Sequence, residues 1–313
     1  MDKTKVRVNV IIPCFNESKY LPKTFSSLAK YSKAEECELC VILVDNGSTD
    51  KSRDIARSFG ADVFTKPKAT IGKLRNIGVS KVKMGDLLVF IDADILVTEI
   101  WMKKVIECAT SLHSNDLFVT GYPYLPPDKA SWLERHWFSA EQKNLKYINS
   151  GNLITTKSLF DMIGGFDESL KTGEDYDFCF RARKQGAEIV PEKDYKVYHL
   201  GYPKTLFAFF KREMWHGVGD CQTLSKFLNS KPAIISLLWG SSWILGGFFL
   251  FFSEIKFFGV LLLLLGGVPV AMLAKRRHPN WLFFPGNIII SFIYLGGRFM
   301  SLILALQEKI GIP

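Results

Sequence analysis

The feature that most constrains this chain is a change of character partway along it. From Ala233 onward the sequence is dominated by Leu, Phe, Ile, Gly and Trp, in apolar stretches over 233–252, 257–274 and 284–306. A helix needs about 20 apolar residues to cross a bilayer. Each stretch comes close to that length, and no soluble domain of this size needs three. Three transmembrane helices are expected, with buried core helices or hairpins within one leaflet as the alternative. Lys275-Arg276-Arg277 lies between the second and third stretches. With everything before residue 233 in the cytosol, three spans put this basic segment on the cytosolic side, in agreement with the positive-inside rule. They also put Gln307 to Pro313 outside. Arg298 is the one full charge of the third stretch. It is expected to be paired within the helix bundle or to lie near an aqueous or headgroup contact.

The N-terminal part reads differently. Met1 to Lys5 is polar, and the apolar run Val8 to Ile12 is too short for a signal core and meets Pro13. A cytosolic catalytic part on a multi-pass protein of the plasma membrane is therefore expected. Six cysteines show no paired framework. Cys37 and Cys40 form a CxxC without a second pair for zinc, and Cys40 leads into a strand-like run, so the cysteines read as structural. The net charge is +9, but the bases are scattered and several flank the apolar stretches. Membrane lipids and a phosphate-bearing substrate account for the excess at least as well as nucleic acid, which is not expected as a partner.

Before residue 201, strands and helices alternate. Arg7–Pro13, Leu39–Val44, Ala61–Phe64 and Asp86–Ile91 read as strands. Leu21–Tyr31, the segment through Phe59 that Ser48 or Thr49 would cap, and Ile71–Val82 read as helices. The pattern implies an α/β fold: a mostly parallel sheet flanked by helices, followed by an all-α membrane region. Ligands in such sheets bind beyond the carboxyl ends of the strands. Pro13–Glu17, Asp45–Asp50 and Asp92–Asp94 all follow strand ends, which places three polar clusters on one rim.

Asp92-Ala93-Asp94 is the sharpest of them. Two carboxylates one residue apart at a strand end point to one side of the pleat. They repel unless neutralised, and Mg²⁺ or Mn²⁺ with phosphate oxygens suits them. Such a triplet alone also occurs by chance in surface loops.

Seven ordered motifs then carry a resemblance. Val10–Glu17, Val44–Asp50, Arg75–Gly78 and Phe90–Asp94 resemble the successive motifs of family 2 glycosyltransferases. Ser150-Gly151-Asn152, Gly164–Glu168 and Gly173–Asp177 complete the pattern, which covers Val6 to Gly201. The resemblance implies the A-type nucleotide-sugar transferase fold and a catalytic domain over 1–201. The remainder divides into an interfacial amphipathic linker helix over 202–232 and a membrane region over 233–313. By position, Pro13, Asn16 and Glu17 are expected to line the nucleotide pocket of a UDP- or GDP-sugar. Asp45 is expected at the base, or else serves as a turn carboxylate. Arg75 is expected to face the base or the diphosphate, or else solvent from a helix. Asp92 would sit near the ribose and metal, and Asp94 on the metal. His199 is a further metal candidate, and Arg212 and His216 would close over the diphosphate from the linker helix.

Inverting transfer to a hydroxyl needs a carboxylate on the acceptor side. Asp175 is that candidate, with Glu174 positioning the acceptor; both also suit the start of a helix over 176–185. The processive members carry a Gln-x-x-Arg-Trp motif that is missing here, so the resemblance implies transfer of a single sugar. A lipid-linked or glycan hydroxyl acceptor at the cytosolic face is the leading expectation. A polyprenyl-phosphate sugar synthase is the first alternative, and a non-catalytic nucleotide-sugar-binding membrane protein the second. A nucleotidyltransferase would show a Gly-rich basic loop where Pro13–Glu17 stands.

Overall fold

The computed structural model describes residues 6–32, 37–83, 85, 87–113, 116–139, 145–277 and 280–310. Met1–Lys5, Asp86 and the end of the C-terminal tail, for which expectations were given, lie outside them. The chain divides into two compact units, one of Met1–Pro127 with Gln142–Gly201 and one of Asp128–Glu141 with Tyr202–Pro313.

The first unit begins β1 (Val6–Cys14), α1 (Leu21–Ser32), β2 (Cys37–Asp45), α2 (Ser52–Ser58), β3 (Asp62–Thr65) and α3 (Ile71–Ser80). It continues through β4 (Leu87–Ile91), β5 (Ile95–Leu96), α4 (Glu99–Thr110) and β6 (Phe118–Gly121). It ends with β7 (Asn152–Thr156), α5 (Lys157–Met162), α6 (Glu174–Lys184), β8 (Glu188–Pro191) and β9 (Tyr198–His199). The main sheet has the order β3-β2-β1-β4-β7-β6-β8. β3, β2, β1 and β4 run parallel, while β7 is antiparallel to both β4 and β6. The sheet is buried on both faces, which is why β4 reads Leu-Leu-Val-Phe-Ile without a polar residue. Val89 and Ile91 face Leu21, Phe25 and Trp101 on one side. Leu88 and Phe90 face Phe160, Phe166 and Phe178 on the other.

Local details differ from the sequence reading. Ser48 and Thr49 do not cap α2, which starts at Ser52 after Lys51 with no side-chain cap. The helix bearing Glu174 and Asp175 starts at Glu174 itself, after Gly173 at φ 80°. Neither acid caps it from outside; both lie in its first turn, where negative charge suits the helix dipole. The six cysteines are free thiols, and Cys37 and Cys40 lie on β2.

The second unit contains α7 (Leu206–Asp220), α8 (Leu224–Asn229), α9 (Lys231–Phe249), α10 (Lys256–Arg277) and α11 (Phe284–Ile310). The expected single linker helix is two, interrupted at Cys221–Thr223, because the Thr223 hydroxyl accepts the Lys226 N–H and starts α8 afresh. Phe209, Glu213 and Gly217 are buried on α7, and Gly217 and Gly297 are the close approaches between α7 and α11. Phe207, Lys211 and Trp215 stay exposed. Three helices, Lys231–Phe249, Lys256–Arg277 and Trp281–Gln307 with its leading single turn, are long and apolar enough to cross a membrane. α9 begins two residues earlier than expected, at its Ser230 cap. Lys275-Arg276-Arg277 is the last turn of α10 rather than a loop, where basic side chains favour the helix dipole. Arg298 is paired inside the unit, donating to Glu213 at 3.2 Å and to Asp220 at 2.9 Å.

Candidate active site

The site forms where β1, β2 and β4 end. β4 stops at Ile91, and residues 92–94 make a turn, so Asp92 and Asp94 converge through that turn and not through the strand pleat. The Asp92 N–H donates to the Gly151 carbonyl at 3.3 Å, and the Asp94 carbonyl accepts the Leu200 N–H at 2.9 Å. β5 pairs with β9, Ile95 opposite His199. This short ladder brings His199 Nε2 to 3.5 Å from Asp94 Oδ2. Asp92, Asp94 and His199 each offer one ligand atom, all within 4.8 Å of one another. Two carboxylate oxygens and an imidazole nitrogen form a donor set that fits a divalent ion such as Mn²⁺ or Mg²⁺.

Two glycines allow this closeness. A Cβ on Gly151 would collide with the Asp92 carboxylate and the Tyr124 hydroxyl, and one on Gly201 would collide with Asp94 Oδ2. Tyr124 Oη donates to Asp92 Oδ2 at 3.4 Å and accepts the Gly151 N–H at 3.0 Å. Tyr124 and Gly201 were not singled out from sequence, and an aromatic and a glycine in loops carry no signal of their own.

Arg75 is fully buried on α3. It does not face solvent. One terminal nitrogen donates to Asp92 Oδ1 at 2.8 Å and the other to Glu174 Oε1 at 2.9 Å. Ser150 Oγ also donates to Glu174 Oε1, at 3.0 Å. The guanidinium therefore joins the carboxylate pair after β4 to the start of α6. Removing one partner of a buried ion pair typically costs about 3–5 kcal/mol, because the remaining charges lose their compensation. Arg75→Met is expected to destabilise the protein on that scale, read as a fall in the thermal midpoint in detergent. An unchanged midpoint would show that the bridge carries no stability.

Asp175 lies beside this bridge. Its Oδ1 accepts the Tyr176 N–H at 2.8 Å, and its Oδ2 is 3.5 Å from Asn149 Nδ2. Burial, reinforced by the negative charge of Glu174, pushes the Asp175 carboxyl up to about 7. Burial likewise pushes Asp94 up to about 6. Asp92 is raised by burial against the opposing pull of Arg75. Glu17 is raised to about 7 by burial and then by Asp94, Asp92 and Asp50. Four acids at one rim hold their protons more tightly than free carboxyls, chiefly because burial disfavours their charged forms.

Pro13 is buried at the end of β1, whereas Asn16 is exposed. Asn16 adopts φ 56°, and its Oδ1 accepts the Thr49 N–H at 2.8 Å while its own N–H donates to Ser48 Oγ at 2.8 Å. Asn is among the few residues that tolerate this left-handed conformation. The loops after β1 and β2 are thus tied together. Asp45 is completely buried, and its carboxylate accepts the N–H groups of Gly47 and Ser48, each at 3.0 Å. In this arrangement it is the turn carboxylate.

Arg212 and His216 belong to the second unit. Arg212 donates to Glu213 at 2.6 Å and lies over the Phe138 ring. Burial, with the charges of Arg212 and Arg298, lowers His216 to about 3.

Residues 9–166 match the family described as "Glycosyl transferase family 2". An uncharacterized glycosyltransferase of Rickettsia typhi, RT0329, is 30% identical over 188 residues, 56% of this chain and 58% of that protein, so the chain spans little more than half of that relative. Glycosyltransferase AglE of Haloferax volcanii is 24% identical over 79% of this chain and 83% of its own length. Among solved structures, the mannosyltransferase PcManGT of Pyrobaculum calidifontis, in complex with GDP-Man and Mn²⁺, has the same fold. The TM-score is 0.57 at 14% identity, covering 99% of this chain and 88% of that one.

Proposed function

The chain belongs to glycosyl transferase family 2, and on that premise we propose that it moves a single sugar, with inversion, from a nucleoside-diphosphate sugar to a hydroxyl of a lipid-linked or glycan acceptor at the membrane. The observation that carries this reading is the Arg75 bridge, which holds the Asp92–Asp94 pair and the Glu174–Asp175 pair at one rim. The first unit supplies the chemistry and the second the membrane anchor.

The two acidic pairs have separate tasks. Asp175 takes the acceptor hydroxyl proton as the oxygen attacks the anomeric carbon and the bond to the diphosphate breaks. Glu174, fixed by Arg75 and Ser150, positions that base. Asp92, Asp94 and His199 would hold Mg²⁺ or Mn²⁺, which when bound supplies Lewis-acid stabilisation of the departing diphosphate. Asn16 and Glu17 line the nucleotide pocket from the loop after β1, with Pro13 and Asp45 shaping the loops behind them. The donor is a UDP- or GDP-sugar; the bound GDP-Man and Mn²⁺ of PcManGT support that class. Arg75 acts on the diphosphate indirectly, by positioning Asp92. On the family resemblance, Arg212 and His216 are kept as candidate diphosphate-facing residues. The basic turn ending α10 supports a cytosolic placement of the catalytic unit. A panel of nucleotide sugars with Mn²⁺, read by thermal shift, tests the donor class. At least one UDP- or GDP-sugar should stabilise the protein with Mn²⁺ and not with chelator, and no response to any of them would sink the reading.

The raised acids give a pH test. A carboxyl whose folded-state pKa lies above its unfolded value of about 4 holds its proton more tightly when folded, so stability falls as pH rises from about 4 through the folded pKa. For Asp94, Glu17 and Asp175 that window ends near 6 to 7. Chelated protein should therefore lose thermal stability between pH 5 and pH 8. Added Mn²⁺ should restore more at pH 8 than at pH 5, because metal and protons compete for the same oxygens. A Mn²⁺ response independent of pH would contradict this.

A further inference from the structure

α9 and α10 form a hairpin whose close approaches give its register. A Cβ on Gly246 would meet Leu263 and the Gly259 carbonyl, and one on Gly266 would meet Ser242 and Trp243. With the same 1.5 Å rise on both helices, Arg276 sits about level with Pro232, at the start of α9. Along this hairpin lies a cavity of about 560 Å³, within the range of ligand pockets. Its lining is apolar apart from Ser241, Ser242 and Arg276, the one charged residue among the described lining. From Arg276 to Leu262, the groove extends about 20 Å along the helix, somewhat more than the ~15 Å hydrocarbon depth of one leaflet. A concave apolar slot that begins at a membrane-interface cation has the shape and charge of a single amphiphile with an anionic head. Pro269, also in the wall, has no N–H to donate within the helix.

We propose that this groove seats a polyprenyl-phosphate lipid, its hydrocarbon chain along α9 and α10 and its phosphate on Arg276. That this lipid carries the acceptor rests on the function proposed above; its binding does not. The test uses the full chain in detergent, with native mass spectrometry of bound polyprenyl phosphate and, as competitors, neutral polyprenol, phosphatidylglycerol and inorganic phosphate. One equivalent should bind saturably. Arg276→Gln should weaken it about tenfold, the scale of one charge-assisted contact, and Arg276→Lys should recover part of that. Leu265 lines the groove and is exposed, so Leu265→Trp should block the slot while leaving the thermal midpoint in place. Equal binding of neutral polyprenol, displacement by phosphatidylglycerol at matched concentration, displacement by inorganic phosphate alone, or wild-type binding by these variants would overturn the proposal. Saturable, Arg276-dependent binding of a lipid that is never glycosylated, directly or through an attached glycan, would uphold the groove and count against the acceptor reading.

Discussion

Asp175→Asn lowers turnover with a hydroxyl acceptor by about 10²- to 10⁴-fold, the range that a positioned general base supplies, and leaves donor binding unchanged. The substitution keeps the shape of the side chain and removes its capacity to take a proton. It also removes a carboxyl whose ionised form the site disfavours through burial and Glu174, so the thermal midpoint should hold or rise. Lost activity with retained stability is therefore the expected signature, and it separates a catalytic role from a helix-start role. Assays with two acceptors sharpen it. A hydroxyl acceptor should suffer the full loss, whereas a phosphate acceptor, already an anion, should not need the base. Near-normal transfer to a polyprenyl phosphate by Asp175→Asn would favour the synthase reading over the hydroxyl-acceptor reading.

Asp94→Ala is expected to abolish the Mn²⁺-dependent stabilisation by nucleotide sugar and to reduce turnover about 10³-fold. That magnitude follows from several kcal/mol of metal stabilisation at about 1.4 kcal/mol per decade. The choice of Asp94 rests on geometry. Asp92 gives one oxygen to Arg75 at 2.8 Å, so its loss would disturb the bridge as well as the metal. Asp94 faces His199 at 3.5 Å and has no arginine partner among the described residues. Its removal should also ease the repulsion that adds to burial in raising Glu17, so the metal-free protein should lose little stability and titrate less between pH 5 and 8. Undiminished stabilisation by Mn²⁺ and donor in Asp94→Ala would rule out the proposed metal site.

Much of this architecture is legible along the chain. The all-apolar β4 followed at once by Asp92 and Asp94, the polar clusters after β1 and β2, and the three long apolar stretches are local patterns. Each is set by burial over a few residues or by the thickness of a bilayer. The ordered family motifs then identify the fold. What the sequence could not settle was which way side chains at the rim turn. Asp45 stands where a base-binding carboxylate is expected, yet its oxygens are taken up by its own loop. Backbone N–H groups two and three residues on compete locally for that carboxylate, and the residue string does not record the outcome.

The Asp92–Asp94 pair was visible from sequence; its surroundings were not. The antiparallel insertion of β7 beside β4 carries Gly151 and Ser150 to the rim. α6 then brings Glu174 to Arg75 across 99 positions, and β9 brings His199 to Asp94. Such pairings depend on strand order and direction, which hydrophobic period does not encode. Local patterns along the chain already specify the classes of structure present: an α/β unit with acidic strand ends, and helices suited to lipid. That Arg75 is the buried link between the two acidic pairs follows from the folded arrangement, because a charge in the interior persists only where the fold delivers its partners.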